Sequence, residues 1–251
     1  MSTEAQAAMV RRAAAAAQVF VADLDHPVPT ADDDHHLARV LRLRAGSSVV
    51  AADGTGAWRL CTYHALGAAL EPTGPVAMEP ARPPVTVAFA PMKGERFEWA
   101  FAKLVELGVD RICLLATDRA VVRFGEDRAE RQRLRLGRLA HAAATQCRRV
   151  TLPELIGPMT LAEAARAIDG LARCDLDGEP APAGLSACAV GAEGGWSDAE
   201  RALELPSVGL GTTVLRAETA AVTAGALLTG LRDGWLGSAA TPVNRPAGDV
   251  R

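Results

Sequence analysis

Beyond residue 84 the chain alternates short apolar runs with longer mixed ones, and that rhythm restricts its fold more than any other feature. "VTVAFAP" (85–91), "RICLLAT" (111–117), "GLARCDL" (170–176), "LSACAV" (185–190) and "SVGLG" (207–211) have the length and apolar character of buried strands. "LPELIGP" (152–158) reads as extended. Between these runs, "ERFEWAFAKLVELG" (95–108), "RAERQRLRLGRLAHAAATQC" (128–147), "LAEAARAI" (161–168) and "ETAAVTAGALLTGLRDG" (218–234) carry a helical period. Ser197 and Glu200 match a Ser-x-x-Glu capping box, which predicts a further helix from about Asp198. Strands alternating with helices imply an α/β layer on a mostly parallel sheet.

The N-terminal part reads differently. "QVFVADL", "SSVVAADG", "AWRLCTYHAL" and "GAALEP" are brief β-prone runs broken by Gly, Asp and Pro, which predicts a small β-barrel over 19–80. "DDDHHLARVLRL" interrupts them as a helix whose acidic start suits the positive helix end. The proline-rich "EPTGPVAMEPARPP" (71–84) reads as the linker to an α/β domain over 85–234. Residues 1–18 are expected to form a flexible leader, since their alanines make too weak an apolar segment for a signal peptide, and 235–251 a loose tail.

With 251 residues, 49% of them hydrophobic, the chain can bury a large core, yet no apolar run is long enough to span a bilayer. Five scattered cysteines without a C-x-x-C pair, and histidines without ligand spacing, suggest neither disulfides nor a metal site; a reducing cytoplasm is the simplest compartment. A net charge of −3 does not by itself point to nucleic acid. The arginines are nevertheless grouped, at Arg39, Arg42 and Arg44 and again from Arg128 to Arg149. Such local stripes can grip phosphates or can be ordinary solvated helix faces.

Two glycine-bearing joints follow strands. "CAVGAEGGWSDAE" (188–200) places Gly191, Gly194 and Gly195 between a strand and the capped helix, and "SVGLGTTVLRAETA" (207–220) places Gly209 and Gly211 before the last helix. Glycine suits positions that need a positive φ or close approach by another group. In open α/β sheets, ligands gather at the carboxyl ends of the strands, where both joints lie. "GLG" lacks the third glycine of a dinucleotide fingerprint, "GAEGG" contains no nucleophile, and no phosphate-binding P-loop is present.

"VGAEGGWSDAE" followed by "GLGTTVLRAETAAVTAGALL" resembles the C-terminal signature of the RsmE-type ribosomal RNA methyltransferases of the SPOUT superfamily. "HHLARVLRLRAGSSV", "KGERFEWAFAKLVELGV", "TDRAVVR" and "QCRRVTLPELIGPMTL" match further family segments in the same order. The resemblance implies a PUA-like barrel, then a SPOUT-type α/β domain whose C-terminal part forms a trefoil knot, a topology that general rules treat as exceptional. It also implies a homodimer that binds S-adenosylmethionine in the knot and methylates N3 of a uridine in 16S ribosomal RNA, alone or within the small ribosomal subunit.

On that resemblance the cofactor loops comprise Val190, Gly191, Glu193, Gly194, Gly195, Leu210, Gly211, Val214, Leu215, Arg216 and Thr219. Arg216 and then Arg149 are the candidate cations beside the reacting base. Glu218 is either a general base or a residue of the helix start, and Glu193 either holds its loop or meets the cofactor. Arg39, Arg42, Lys93, Arg119 and Arg148 are candidate RNA contacts. The chain departs from the family wording at Ala192, where proline is usual, at Ala142 and Thr145, where glutamates are usual, and at Gln18, near a common arginine. Those departures keep two other readings open, a non-catalytic RNA-binding assembly protein and a methyltransferase of another RNA position.

Overall fold

The computed structural model describes residue 10, residues 12–121 and residues 126–236. Most of the expected leader and nearly all of the tail lie outside the described residues. The chain divides into two compact units, one of Met1–Ala81 with Leu134–Pro153 and one of Arg82–Arg133 with Glu154–Arg251.

The first unit contains β1 (Ala17–Phe20), α1 (Ala31–His35), β2 (Ser47–Ala52), β3 (Ala57–Tyr63), β4 (Glu71–Pro72) and β5 (Ala77–Met78). They form a five-stranded sheet in the order β1-β2-β3-β4, with β5 also paired to β3. β1 runs parallel to β2, and the other pairs are antiparallel. Thr30 caps α1 by accepting a hydrogen bond from the Asp33 N–H at 3.1 Å, and the helix continues as a π-helical turn, His36–Val40. Leu37 thereby reaches a core of Val19, Val49, Ala51, Cys61, Tyr63 and Leu70. Burial pushes the Cys61 thiol up to about 11.

Three sequence expectations need correcting here. The first strand begins at Ala17, inside the segment expected as a leader, and Gln18 is buried within that strand. The 71–84 segment is not simply a linker, because β4 and β5 pair with β3 inside it; proline is tolerated in such short edge strands. Segment 134–153, expected in the second domain, packs with the first unit. The cause is hydrogen bonding across a long sequence separation: the Leu152 N–H donates to the Gly54 carbonyl at 2.8 Å, and the Gln18 side-chain Nε2 donates to the Arg149 carbonyl at 2.7 Å.

The second unit contains β6 (Thr86–Phe89), α2 (Arg96–Glu106), β7 (Arg111–Leu115), the start of α3 (Glu126–Cys147), β8 (Glu154–Met159), α4 (Leu161–Ala167), β9 (Leu171–Glu179), β10 (Ala187–Val190), α5 (Asp198–Arg201), β11 (Ser207–Val208) and α6 (Ala217–Arg232). Its six strands follow the order β11-β9-β10-β6-β7-β8 and are parallel throughout. β6 and β10 are buried along their whole length, as expected of strands covered on both faces. The amphipathic α2 buries Phe97, Ala100, Phe101, Leu104 and Val105, and α6 packs against it at Gly225, where an added Cβ would lie 2.6 Å from Leu104.

The C-terminal end of the last helix is anchored by charge. Arg232 donates to the Asp110 carboxylate at 2.8 Å and to the Gly108 carbonyl at 3.2 Å. The Asp110 carboxylate in turn accepts from the Val85 N–H at 2.9 Å, tying α6 to the start of β6. Hydrogen bonding from Arg232 holds the Asp233 carboxyl below its usual range.

Candidate functional site

The Ser197 capping box forms in full, with both reciprocal hydrogen bonds, although α5 is only one turn long. Glu200, its third residue, accepts from the Ser197 N–H at 2.8 Å and from the Asp118 N–H at 3.1 Å. One carboxylate therefore joins the first glycine joint to the loop after β7. Within the joint, Trp196 folds back over Gly191, where an added Cβ would lie 3.1 Å from the indole. Its ring N–H donates to the Cys174 carbonyl at 3.0 Å. Gly194 rests on Arg119, whose guanidinium donates to the Gly194 carbonyl at 3.3 Å. Ala192, standing where the resemblance expects proline, is buried with Ala90 and Ala120.

The second joint is closed differently. β11 ends after two residues because Gly209 turns onto the Gly178 backbone. The Gly209 N–H donates to the Glu179 carbonyl at 2.9 Å. An added Cβ at Gly178 would meet the Val208 carbonyl carbon at 2.3 Å, and one at Gly209 would meet the Gly178 oxygen at 2.7 Å. No side chain can be accommodated between these two backbones. Beyond them Gly211 has φ +139°, and Val214 is 82% exposed.

Between the joints lies a cavity of about 430 Å³, within the range of roughly 300–1,000 Å³ typical of small-molecule sites. Val190, Gly191, Glu193, Gly195, Leu210, Gly211, Val214, Leu215 and Arg216 line it, as does Ala220 of α6. Of the residues expected around a cofactor, Gly194 and Thr219 are not on the wall. β10 and β11 are successive in the chain but not neighbours in the sheet, because β9 lies between them. Cys174, Asp175 and Leu176 of β9 therefore form part of the wall, and Arg201 of α5 adds a cation. None of these four was anticipated.

Asp175 is nearly enclosed. Its carboxylate accepts from the Arg173 Nε at 2.8 Å, from Arg201 at 3.1 Å and from the Ser207 hydroxyl at 3.3 Å. Arg173 is held in turn by the Glu200 and Arg201 carbonyls. A hydrogen bond with Cys188, reinforced by burial, pushes the Cys174 thiol far above its ordinary range, so this part of the wall is uncharged sulfur. The only sequence sign of the network is an arginine and an aspartate two apart in "ARCD", which places both on one face of a strand.

Two of the candidate reacting groups belong to the second unit and one to the first. Arg216 is exposed on the cavity wall at the N-cap position of α6, where it makes no capping hydrogen bond. Glu218 is buried in the first turn of that helix and is not on the wall. Its nearest charge is Arg96, 3.7 Å away, and the same guanidinium lies 3.0 Å from Glu193. Arg149 belongs to the first unit, where its Nε donates to the Thr151 hydroxyl at 2.9 Å.

Arg39, Arg42 and Lys93 are exposed. Arg148 is engaged within the first unit, donating to the Ala15 and Ala16 carbonyls, and its φ of +63° turns the chain there. Ala142 is exposed, while the Thr145 hydroxyl is buried without a hydrogen-bond partner among the described residues; nothing in the structure explains the loss of carboxylates at these two positions. Among the described residues no helix is long and apolar enough to cross a membrane, and no cluster of His, Cys, Asp or Glu could hold a metal ion.

Comparison with known proteins finds similarity in both sequence and fold. The chain matches the RNA methyltransferase domain model over residues 79–229 and the RNA methyltransferase PUA domain model over residues 29–68. It is 31% identical to the ribosomal RNA small subunit methyltransferase E of Mycobacterium bovis over 229 residues, covering 83% of this chain and 87% of that protein. The Synechocystis protein of the same name is 30% identical over 218 residues, covering 78% of this chain and 70% of that one. Among solved structures, a Legionella pneumophila methyltransferase in complex with S-adenosylmethionine superposes with a TM-score of 0.73 at 24% identity, covering 85% of this chain and 96% of that one. A Neisseria gonorrhoeae ribosomal RNA small subunit methyltransferase E bound to the same cofactor gives 0.70 at 22% identity, covering 86% and 97%.

Proposed function

The chain belongs to the ribosomal RNA small subunit methyltransferase E family, and on that premise we propose that it transfers a methyl group from S-adenosylmethionine to N3 of a uridine in 16S ribosomal RNA. The observation that carries this reading is the cavity formed where two glycine joints meet. Gly191, Gly195 and Gly211 present bare backbone there, and Leu210, Val214 and Leu215 present apolar surface. Backbone N–H and C=O groups of such loops can recognise a nucleoside edge, while Arg201 adds a cation to the wall. Bound there, the donor supplies an electrophilic methyl on a sulfonium, so no covalent enzyme intermediate is required.

The protein's tasks are to align the uridine, to favour loss of the N3 proton and to stabilise the charge that develops on the base. Arg216 is the group for the last task, being a cation on the wall with no ion-pair partner among the described residues. Glu218 faces Arg96 rather than the cavity, which favours a positioning role over proton removal. Arg149, held by Thr151, belongs to the scaffold of the first unit. The uridine must arrive unpaired, because pairing blocks its N3 edge. Arg39 and Arg42, exposed in the PUA-like unit, together with Lys93 and Arg119, are the cations for RNA phosphates.

This reading includes a trefoil knot at the C-terminal end, a homodimer and a cytoplasmic location. The test is to incubate the protein with labelled S-adenosylmethionine and small subunits from a strain lacking this gene. Nucleoside mass spectrometry is expected to find one N3-methyluridine per subunit, and methylation at any other atom overturns the assignment.

A further inference from the structure

We infer that Arg96 is a positioning residue for the methyl donor, acting through Glu193. This rests on the reading of the cavity given above.

Three observations carry it. Arg96 opens α2 and is not on the cavity wall. Its guanidinium meets the Glu193 carboxylate at 3.0 Å and Glu218 at 3.7 Å, so one cation joins the first glycine joint to the start of the last helix. The Glu218 Oε2 is buried and accepts no hydrogen bond among the described residues, which leaves Arg96 as its nearest opposite charge.

Glu193 is the one carboxylate-bearing residue of a loop that otherwise consists of Gly191, Ala192, Gly194 and Gly195 before Trp196. A loop so rich in glycine has many backbone states, and ordering it around a ligand has an entropic cost. Anchoring Glu193 on α2 fixes the loop before the donor arrives, so less ordering remains to be done on binding. Arg96 also neutralises Glu193, so the loop's influence is on shape rather than on net charge. Losing the anchor therefore weakens binding of both the sulfonium-bearing donor and its neutral thioether product, with the bared Glu193 carboxylate partly offsetting the loss for the charged donor.

Removing Arg96 alone would leave the Glu218 carboxylate buried without its cation, and such a change can unfold a protein. The test uses Arg96→Ala in a Glu218→Gln background, read against Glu218→Gln alone, with Arg96→Lys in the same background. Calorimetric affinities for S-adenosylmethionine and S-adenosylhomocysteine, and kcat at saturating donor, are measured on the full-length protein. The expected result is an affinity loss of about threefold for S-adenosylhomocysteine and no larger for S-adenosylmethionine, with KM for the donor raised in step, kcat changed by less than about twofold, and partial recovery in the lysine variant. Equal affinities with and without Arg96→Ala in the Glu218→Gln background, a change confined to the charged donor, or a fall in kcat at unchanged KM would each overturn the inference. If the unaltered protein binds neither ligand, the assignment of the cavity fails and the inference fails with it; binding by the unaltered protein together with equal variant affinities defeats the inference alone.

Discussion

The two glycine joints occupy equivalent ends of parallel strands, yet they are built in opposite ways. The first is held by side chains: Trp196 covers Gly191, Arg119 lies under Gly194, Glu193 reaches Arg96, and the Ser197–Glu200 box closes the exit. The second is held by backbone, with Gly178 against Val208 and Gly209, and then runs exposed through Val214 to an N-cap that lacks a side-chain bond. A joint held by side chains can be tuned one residue at a time. A joint held by backbone contact tolerates no added atom at its tightest point but leaves the rest of its loop free to meet a substrate.

The largest effect that would test this contrast is expected at Gly178. Gly178→Ala puts a methyl group into a backbone neighbour and should destabilise the fold by roughly 3 kcal/mol or more, whereas Gly195→Ala, which meets no atom and has only its φ of +69° against it, should cost about 1–2 kcal/mol. Equal losses in thermal unfolding would remove the distinction. Next comes Arg216→Ala, expected to lower kcat for methyl transfer about 100-fold while the melting temperature stays unchanged, because its side chain supports no other described residue. A control lies outside both joints. Arg39→Glu with Arg42→Glu should weaken RNA binding and flatten its salt dependence by about one unit of slope per lost phosphate contact, with donor affinity preserved. The smallest effect is expected of Ser197→Ala, which removes a cap worth about 1 kcal/mol and should be visible as a modest fall in melting temperature without loss of RNA binding.

Much of the second unit was legible because its strands are continuous apolar runs and its helix starts carry explicit caps. The expected Ser197–Glu200 box forms in full, and Thr160 with Glu163 forms a second one that the sequence reading did not single out. What was not legible depends on contacts between distant segments. The Arg148 and Arg149 pair looks like a basic patch in the sequence, but Arg148 is engaged by the Ala15 and Ala16 carbonyls. Gln18 looked like a missing arginine, and it is a buried donor to the Arg149 carbonyl. Asp175 gave no warning of its place on the cavity wall, because a charged residue in a strand ordinarily faces solvent and only the partners brought in by Arg173, Arg201 and Ser207 keep it inside. The glycines were readable as a class, but which one meets a ring, which a guanidinium and which another backbone follows only from the folded chain.

The central claim is that the space between the two joints receives the methyl donor. Ala220 lies on its wall, on a regular turn of α6, so Ala220→Phe places a ring in that space without demanding an unusual backbone. Calorimetric titration with S-adenosylhomocysteine should show one binding site per chain in the unaltered protein and none in Ala220→Phe, with both proteins unfolding at similar temperatures. Undiminished binding by a folded Ala220→Phe variant would contradict the account.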